Sequence, residues 1–493
     1  HVTRDDGAHW SDVTPPELKT DKQWAKVGNI RTSPFDACTA YVAARRNKLD
    51  DFAPYAYRTY DCGKTWTKIV NGIPEGFYVQ SVAPDAVRKG LLFAGTERGV
   101  FVSFNDGAEW EPLQLNLPHV SVRDLEVHGD DLVLATHGRA FWSLDDITPL
   151  RQWSPAVATA AATLFKPEVA MRSNGGGGRG GFGGRGGAAP TAQNPPGPAV
   201  IDYQLAQAPQ GPVQIAITDA KGATVAEFSS ANNRAPRAAG AGRGGRGGGG
   251  GRGGAAVPAV NVPNKAGFNR FVWNLQAKVT PLPPAPEVLW GARGGVVPVV
   301  PTGMYTVKLT VDGQTYSQPL QVKLDPRMHA TDADLQAQYD LALKINDEVA
   351  KAWNTVYDME SLQKQIKALG ASAPGAVTSA GSALDQRITA VEYKIANLNN
   401  KAGEDPLNFP IMIDNKLAAL AGRVEQCTCA PTSGVMDVYN DLTAQLNAQL
   451  AAWQEVQSKD VVAFNSLLQQ NNLKPIAPEP RATRVAAGES GVN

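Results

Sequence analysis

The chain has 493 residues, enough for several domains with sizeable cores. Its 47 basic and 47 acidic residues cancel, which leaves no electrostatic reason to expect nucleic acid or an anionic membrane as partner. No uninterrupted apolar run approaches the length of about 18 residues needed to cross a bilayer, so no membrane span is expected.

A short motif recurs at the start of the chain. Residues 3–10 (TRDDGAHW), 59–66 (TYDCGKTW) and 103–110 (SFNDGAEW) all fit Ser/Thr-x-Asp/Asn-x-Gly-x-x-Trp. This is the Asp-box pattern, and its spacing of about 40–60 residues suits one four-stranded β-propeller blade. The hydroxyls of Thr3, Thr59 and Ser103 and the side chains of Asp5, Asp61 and Asn105 are expected to hydrogen-bond the turn backbone. Gly7, Gly63 and Gly107 supply a positive φ, and Trp10, Trp66 and Trp110 pack back as apolar plugs. The motif is thus a folding device, and no catalytic role is assigned to it. A fourth unit, beginning at Ser143 and including Asp145 and Asp146, lacks the Gly and Trp. Its lead-in, THGRAFWSLDD, echoes TERGVFVSFND of the preceding unit.

Short strand-like runs lie between the boxes: 40–44, 78–83, 91–94, 99–103, 122–127 and 131–135. They give residues 1–150 as the last three or so blades of a propeller. Closure takes about four to eight blades, so further blades are expected from an N-terminal segment or another polypeptide.

Residues 151–197 read as a linker holding the tract 175–187, and 198–327 as an immunoglobulin-like β-sandwich interrupted by the Gly/Arg-rich loop 238–254. The tracts are read as loop expansions rather than RNA-binding segments. The Pro-rich stretch 281–301 is expected to lie over the sandwich or to dock it to a neighbour. Residues 328–474 read as an antiparallel helical bundle, opened by a capping box at Thr331 and Asp334. Its first helix carries an apolar stripe along 335–369, to be buried inside the bundle or in a dimer. Residues 475–493 form a Pro-rich polar tail. The fold class is therefore mainly β with a helical C-terminal part.

The four cysteines leave alternatives open. Cys38 and Cys62, on neighbouring candidate strands, form a disulfide or remain reduced; Cys427 and Cys429 form a small local disulfide or a metal half-site. No second CxC and no close His accompanies them, so no metal site is assigned. His119, His128 and His137 lie on or beside successive strands of the last blade, where two could approach each other. Asp124, Glu126, Asp130, Asp131, Asp145 and Asp146 read as turn and strand-end residues. No P-loop, GxSxG elbow, HExxH or EF-hand pattern occurs, and no cofactor or catalytic residue is assigned.

The boxes, followed in order by THGRAFWSLDDITPL (136–150), NPPGPAVIDYQL (194–205), FVWNL (271–275), GMYTVKLTVDGQTYSQPLQVKLDPR (303–327) and DVVAFNSLLQQNNL (460–473), resemble large bacterial exported proteins. These are the sortilin-like, or BNR-repeat (Asp-box) "glycosyl hydrolase", proteins. The resemblance implies propeller blades, an Ig-like domain and helices in that order, and a longer parent chain with an export signal. The two Gly-rich inserts and the CxC depart from it. It implies export to the periplasm, cell surface or exterior, and it fixes architecture better than activity. Two functions follow as expectations: a binding or assembly scaffold for a protein, peptide or glycan, or a glycoside hydrolase whose carboxylates lie in the N-terminal blades. The partners expected are those blades, a second copy of the chain and the ligand.

Overall fold

The computed structural model describes residues 1–19, 25–173, 197–233, 261–292, 297–370 and 373–479. The two Gly-rich tracts, read above as loop expansions, and the end of the Pro-rich polar tail lie outside these residues.

The N-terminal part is a succession of antiparallel meanders. Strands β1 (Lys26–Thr32), β2 (Ala40–Arg46), β3 (Asp51–Thr59) and β4 (Thr67–Lys68) pair in chain order. Strands β5 (Val79–Pro84), β6 (Leu92–Thr96), β7 (Gly99–Ser103) and β8 (Glu111–Pro112) repeat the arrangement. Strands β9 (Val122–His128), β10 (Asp131–Thr136) and β11 (Phe141–Leu144) form a third sheet, in which α1 (Thr148–Gln152) follows where the others have their fourth strand.

The sheets stack face on face in a partial propeller-like arrangement. Tyr41, Ala43 and Ala56 of the first sheet pack against Val79, Val82, Leu92 and Phe101 of the second. Ala83, Phe93, Val100 and Val102 of the second pack against Val122, Leu125, Leu132 and Leu134 of the third. The second sheet is covered on both sides, which explains why β6 and β7 read as continuous apolar runs rather than alternating ones.

Each leading strand carries a register irregularity at the same place, at Val27/Asn29, Val79/Ser81 and Val122/Asp124. Such bulges bend and twist a strand. They also bring the leading strands close together: a Cβ at Gly28 would collide with the carbonyl oxygen of Gln80. Only glycine fits there without a backbone shift.

The chain leaves the third sheet through α1 and α2 (Pro155–Thr159). Arg151 clasps this exit, its guanidinium lying 2.8 Å from the buried Asp85 and also bridging to Asp130. Two sheets then share one core. One has the order β12 (Ala162–Leu164), β14 (Ala199–Leu205), β17 (Gly267–Trp273). The other runs β13 (Ala170–Arg172), β19 (Gln314–Leu324), β18 (Gly303–Val311), β15 (Gln214–Thr218), β16 (Thr224–Ser229). Tyr203, Phe271 and Trp273 from the first meet Ile215, Val307 and Leu320 from the second.

The C-terminal part is helical. Helix α3 (Asp332–Leu369) opens with the Thr331–Asp334 capping box and is about 57 Å long. Its stripe, including Ile345, Val349, Trp353, Val356 and Met359, is buried against α4 (Gly375–Ile395), α5 (Ile413–Val424) and α6 (Ser433–Glu455). A π-helical turn, Val456–Val461, joins α6 to α7 (Val462–Gln470). The described part of the Pro-rich stretch before residue 293 docks on these helices. Leu282, Ala285 and Leu289 pack on their core, and the hydroxyl of Tyr357 donates to the Pro284 carbonyl at 3.0 Å. Among the described residues no helix is long and apolar enough to cross a membrane.

Candidate ligand-binding site

The three boxes build the same turn from the same bonds. In the first, Thr3 Oγ1 donates to Asp5 Oδ1 while accepting from the Gly7 N–H, both at 2.9 Å, and the His9 N–H donates to Asp5 at 2.9 Å. In the second, Gly63 N donates to Thr59 and Thr65 N to Asp61, both at 2.9 Å. In the third, Gly107 N donates to Ser103 and Glu109 N to Asn105 at the same distance. Gly7, Gly63 and Gly107 have φ of 95°, 83° and 82°. The carboxyl of Asp61 is held down at about 2, first by the Thr65 backbone N–H. A group so committed to its own turn is ionised at neutral pH and cannot serve as a proton donor.

The box tryptophans differ. Trp110 is buried at 2% exposure and its indole N–H donates to the Ile69 carbonyl at 2.9 Å. Trp66 is half-buried and donates to the Val13 carbonyl at 2.7 Å. Trp10, expected as a plug like the others, is 61% exposed and donates only to Gly7 of its own turn, because no strand among the described residues lies beneath it.

Cys38 and Cys62 are joined in a disulfide, as are Cys427 and Cys429. Both members of the first pair sit in turns rather than on strands, and the Cys62 N–H also donates to the Cys38 carbonyl at 2.9 Å.

Successive turns of a meander fall on alternate edges of a sheet, so the turns before and after β3 or β7 lie at opposite ends. The boxes occupy one end. At the other end a cleft of about 690 Å³ opens between the second and third sheets. Glu97 and Arg98 enter it from the β6–β7 turn, His137, Gly138 and Arg139 from the β10–β11 turn. His119, Val120 and Ser121 come from the connection into β9, and Phe77 from the connection into β5.

Glu97 forms the floor. Its Oε2 accepts from Ser121 Oγ at 2.7 Å and Gln80 Nε2 at 2.9 Å, with the Arg123 guanidinium 4.0 Å away. Burial raises this carboxyl, but the bonds from Ser121, Tyr78 and Gln80 outweigh it and hold the group below its usual value. Arg98 is exposed and lies over the Phe77 ring, 5.5 Å from its centroid. Arg139 is also exposed. Among the described residues neither Arg98 nor Arg139 makes an ion pair.

Of the three histidines, His119 and His137 line this cleft, whereas His128 pairs with Asp131 at the other end of the β9–β10 hairpin. The acidic residues divide similarly. Asp124 and Glu126 point from β9 to one guanidinium, that of Arg31 on β1, at 3.6 and 2.8 Å. Asp130 bonds Arg151, Asp131 accepts from the Asp146 N–H, Asp146 accepts from Thr148, and Asp145 accepts from Ser143.

The sequence reading missed Arg98 and Arg139. The signal was present in the echo between TERG (96–99) and THGR (136–139), which places an arginine in each of two turns that stacking brings to one cleft.

No protein-family model and no curated protein matches the chain. Among solved structures it is similar over 23% of its length to an ancestral GH74 enzyme, at 18% identity and a TM-score of 0.20. It is similar over 25% to YCF48 bound to D1 peptide, at 17% identity and a TM-score of 0.20. It is similar over 63% to the extracellular domain of the hybrid two component system BT4673 from B. thetaiotaomicron, at 9% identity and a TM-score of 0.20. The chain spans 14%, 39% and 32% of the lengths of these three structures, respectively.

Proposed function

We propose that the chain belongs to an exported binding protein, and that the cleft between its second and third sheets holds the acidic group of a glycan without turnover. The observation that carries this reading is the convergence of Arg98 and Arg139. Two guanidinium groups from equivalent turns border one cleft, and among the described residues neither has a carboxylate partner. Planar forks of this kind match carboxylate or sulfate oxygens. Phe77 and the two histidines give the rest of a sugar ring an aromatic wall. The two disulfides support an oxidising compartment.

In this reading residues 1–150 are propeller blades, 198–327 an Ig-like sandwich and 328–474 a helical bundle. The two sheets on one core and the helices packed along α3 support these finer assignments.

One observation favours hydrolysis as the second reading: Asp124 and Glu126 are both exposed, two residues apart on the leading strand β9. Glycosidases divide acid and base work between two carboxyls in contrasting surroundings. Here a single arginine serves both, which weighs toward binding.

An array of uronate-, sialate- and sulfate-bearing glycans with their neutral counterparts tests both readings. Retention of acidic glycans with no released sugar supports binding. Sugar release abolished by Glu126→Gln moves the assignment to hydrolysis, and equal retention of neutral glycans removes the acidic-ligand reading.

A further inference from the structure

We infer that the Cys427–Cys429 disulfide is a thiol-exchange site for protein dithiols, and that its bond state sets how firmly the five-stranded sheet is held to the helices. The inference is independent of the cleft and of the ligand it takes.

The two disulfides are built differently. Cys38 and Cys62 close a separation of 24 residues, both are half-buried, and a backbone hydrogen bond runs beside the bridge. Cys427 and Cys429 are only two residues apart, so their bond restrains the unfolded chain little. They sit in the connection between α5 and α6, Cys427 exposed and Cys429 half-buried, and neither belongs to the apolar core of the helices. Attack by a thiolate needs access to a sulfur, and exposed bridges are the labile ones. The single residue between the cysteines keeps both sulfurs together after reduction, so the bond can re-form.

The same turn is tied into a buried joint. Gln338 of α3, 1% exposed, donates from Nε2 to the Val424 carbonyl at 2.7 Å and to the Cys427 carbonyl at 2.5 Å. Its Oε1 accepts from the Arg172 guanidinium of β13 at 2.7 Å, and Arg172, also buried, donates to the Val300 carbonyl at 3.0 Å. Glu425, the first residue of the connection, stands within reach of Arg172 and of the Val299 backbone N–H. The disulfide turn therefore holds one end of a buried hydrogen-bond network whose other end is the five-stranded sheet. Opening the turn withdraws the Cys427 carbonyl and leaves a buried amide hydrogen of Gln338 unpaired, which loosens the network.

The exchange balances without a further reagent. A thiolate of the partner attacks Cys427 Sγ, a mixed disulfide forms, and Cys429 leaves as a thiolate. The partner's second thiolate then attacks its own sulfur in the mixed disulfide and releases the Cys427 thiolate. The partner dithiol loses two electrons and two protons, and the two cysteines gain them.

The test mixes the full oxidised chain with reduced, unfolded ribonuclease A in the absence of oxygen. Thiols are then alkylated and read by peptide mass spectrometry. One disulfide per chain should pass to ribonuclease, with Cys427 and Cys429 appearing as thiols while the Cys38–Cys62 bridge stays closed. The Cys427→Ser/Cys429→Ser variant, which keeps the other bridge, should transfer none. A 427–429 bridge that stays closed, or equal loss from Cys38–Cys62, overturns the exchange assignment. Hydrogen exchange reads the joint. In the reduced chain and in the double variant, amides of residues 170–172 and 335–339 should exchange faster than in the oxidised chain by about tenfold or more, and those of β6 at an unchanged rate. Unchanged exchange at the first two segments overturns the link to the sheet.

Discussion

The Trp110 indole donates to the carbonyl of Ile69, so a turn of the second sheet is fastened to the outer strand region of the first. The box is thus a staple between units as well as a hairpin turn. Its tryptophan should matter in proportion to what lies beneath it. Trp110→Ala is expected to destabilise the chain by about 3–5 kcal/mol, the range for truncating a buried aromatic side chain. Trp10→Ala should stay within about 0.5 kcal/mol in the isolated chain. Urea denaturation followed by far-UV circular dichroism checks the contrast.

Glycine is required in the third box for two reasons at once. Gly107 has a φ of 82°, and a Cβ there would stand 2.7 Å from the Ile69 side chain. Gly129 also has a positive φ, 61°, but faces open space. Gly129→Ala is expected to cost about 1 kcal/mol for backbone strain alone. Gly107→Ala should cost clearly more, and a thermal melt comparing the two variants reads the difference.

The disulfides should contribute unequally. Cys38 and Cys62 are 24 residues apart in sequence, Cys427 and Cys429 only two. In the chain-entropy account, closing a loop of the first size restrains the unfolded state by about 3 kcal/mol. A Cys38→Ser/Cys62→Ser double variant should therefore show a lower denaturation midpoint, and a Cys427→Ser/Cys429→Ser variant a smaller change.

Acid groups buried in the helical part set a pH dependence. Glu392 is pushed up to about 7, first by burial and then by Glu360 and Asp385, and burial likewise raises Glu425 to about 7. Burial also raises Glu287 and, well above its usual value, Asp414. A carboxyl whose folded pKa exceeds its unfolded value of about 4.3 binds more protons when folded. Its contribution is intact below that unfolded value and is lost as pH rises toward the folded one. Stability from these groups should fall between about pH 4 and pH 7. Glu392→Gln should raise stability at pH 8 by about 1–3 kcal/mol and leave it nearly unchanged at pH 4. Denaturation midpoints at the two pH values decide it.

Legibility in the sequence followed the range of the interaction. The boxes and the 3–4 spacing of α3 are local patterns, and both appear where the residues place them. Strands β1 and β3 were absent from the runs read as strands. KVGNIRT carries Gly28 at the bulge, and Pro54 stands where the β2–β3 register shifts, so both strands lack a clean alternation. The three-residue β13 pairs in parallel with β19, far along the chain, and no local signal marks it. Nothing in their local sequence separates Arg98 and Arg139 from ordinary solvated turn residues. Their meaning arises only when the second and third sheets stack and bring two turns to one cleft.

The most direct test of the central claim is the affinity of the chain for an acidic glycan before and after removing both arginines. In a titration with the tightest acidic glycan from the array, Arg98→Ala/Arg139→Ala should abolish binding while leaving the denaturation midpoint unchanged. Loss of two charge-assisted contacts corresponds to roughly 3–6 kcal/mol, or at least a hundredfold in affinity. Unchanged affinity in the folded double variant would contradict the assignment of the cleft.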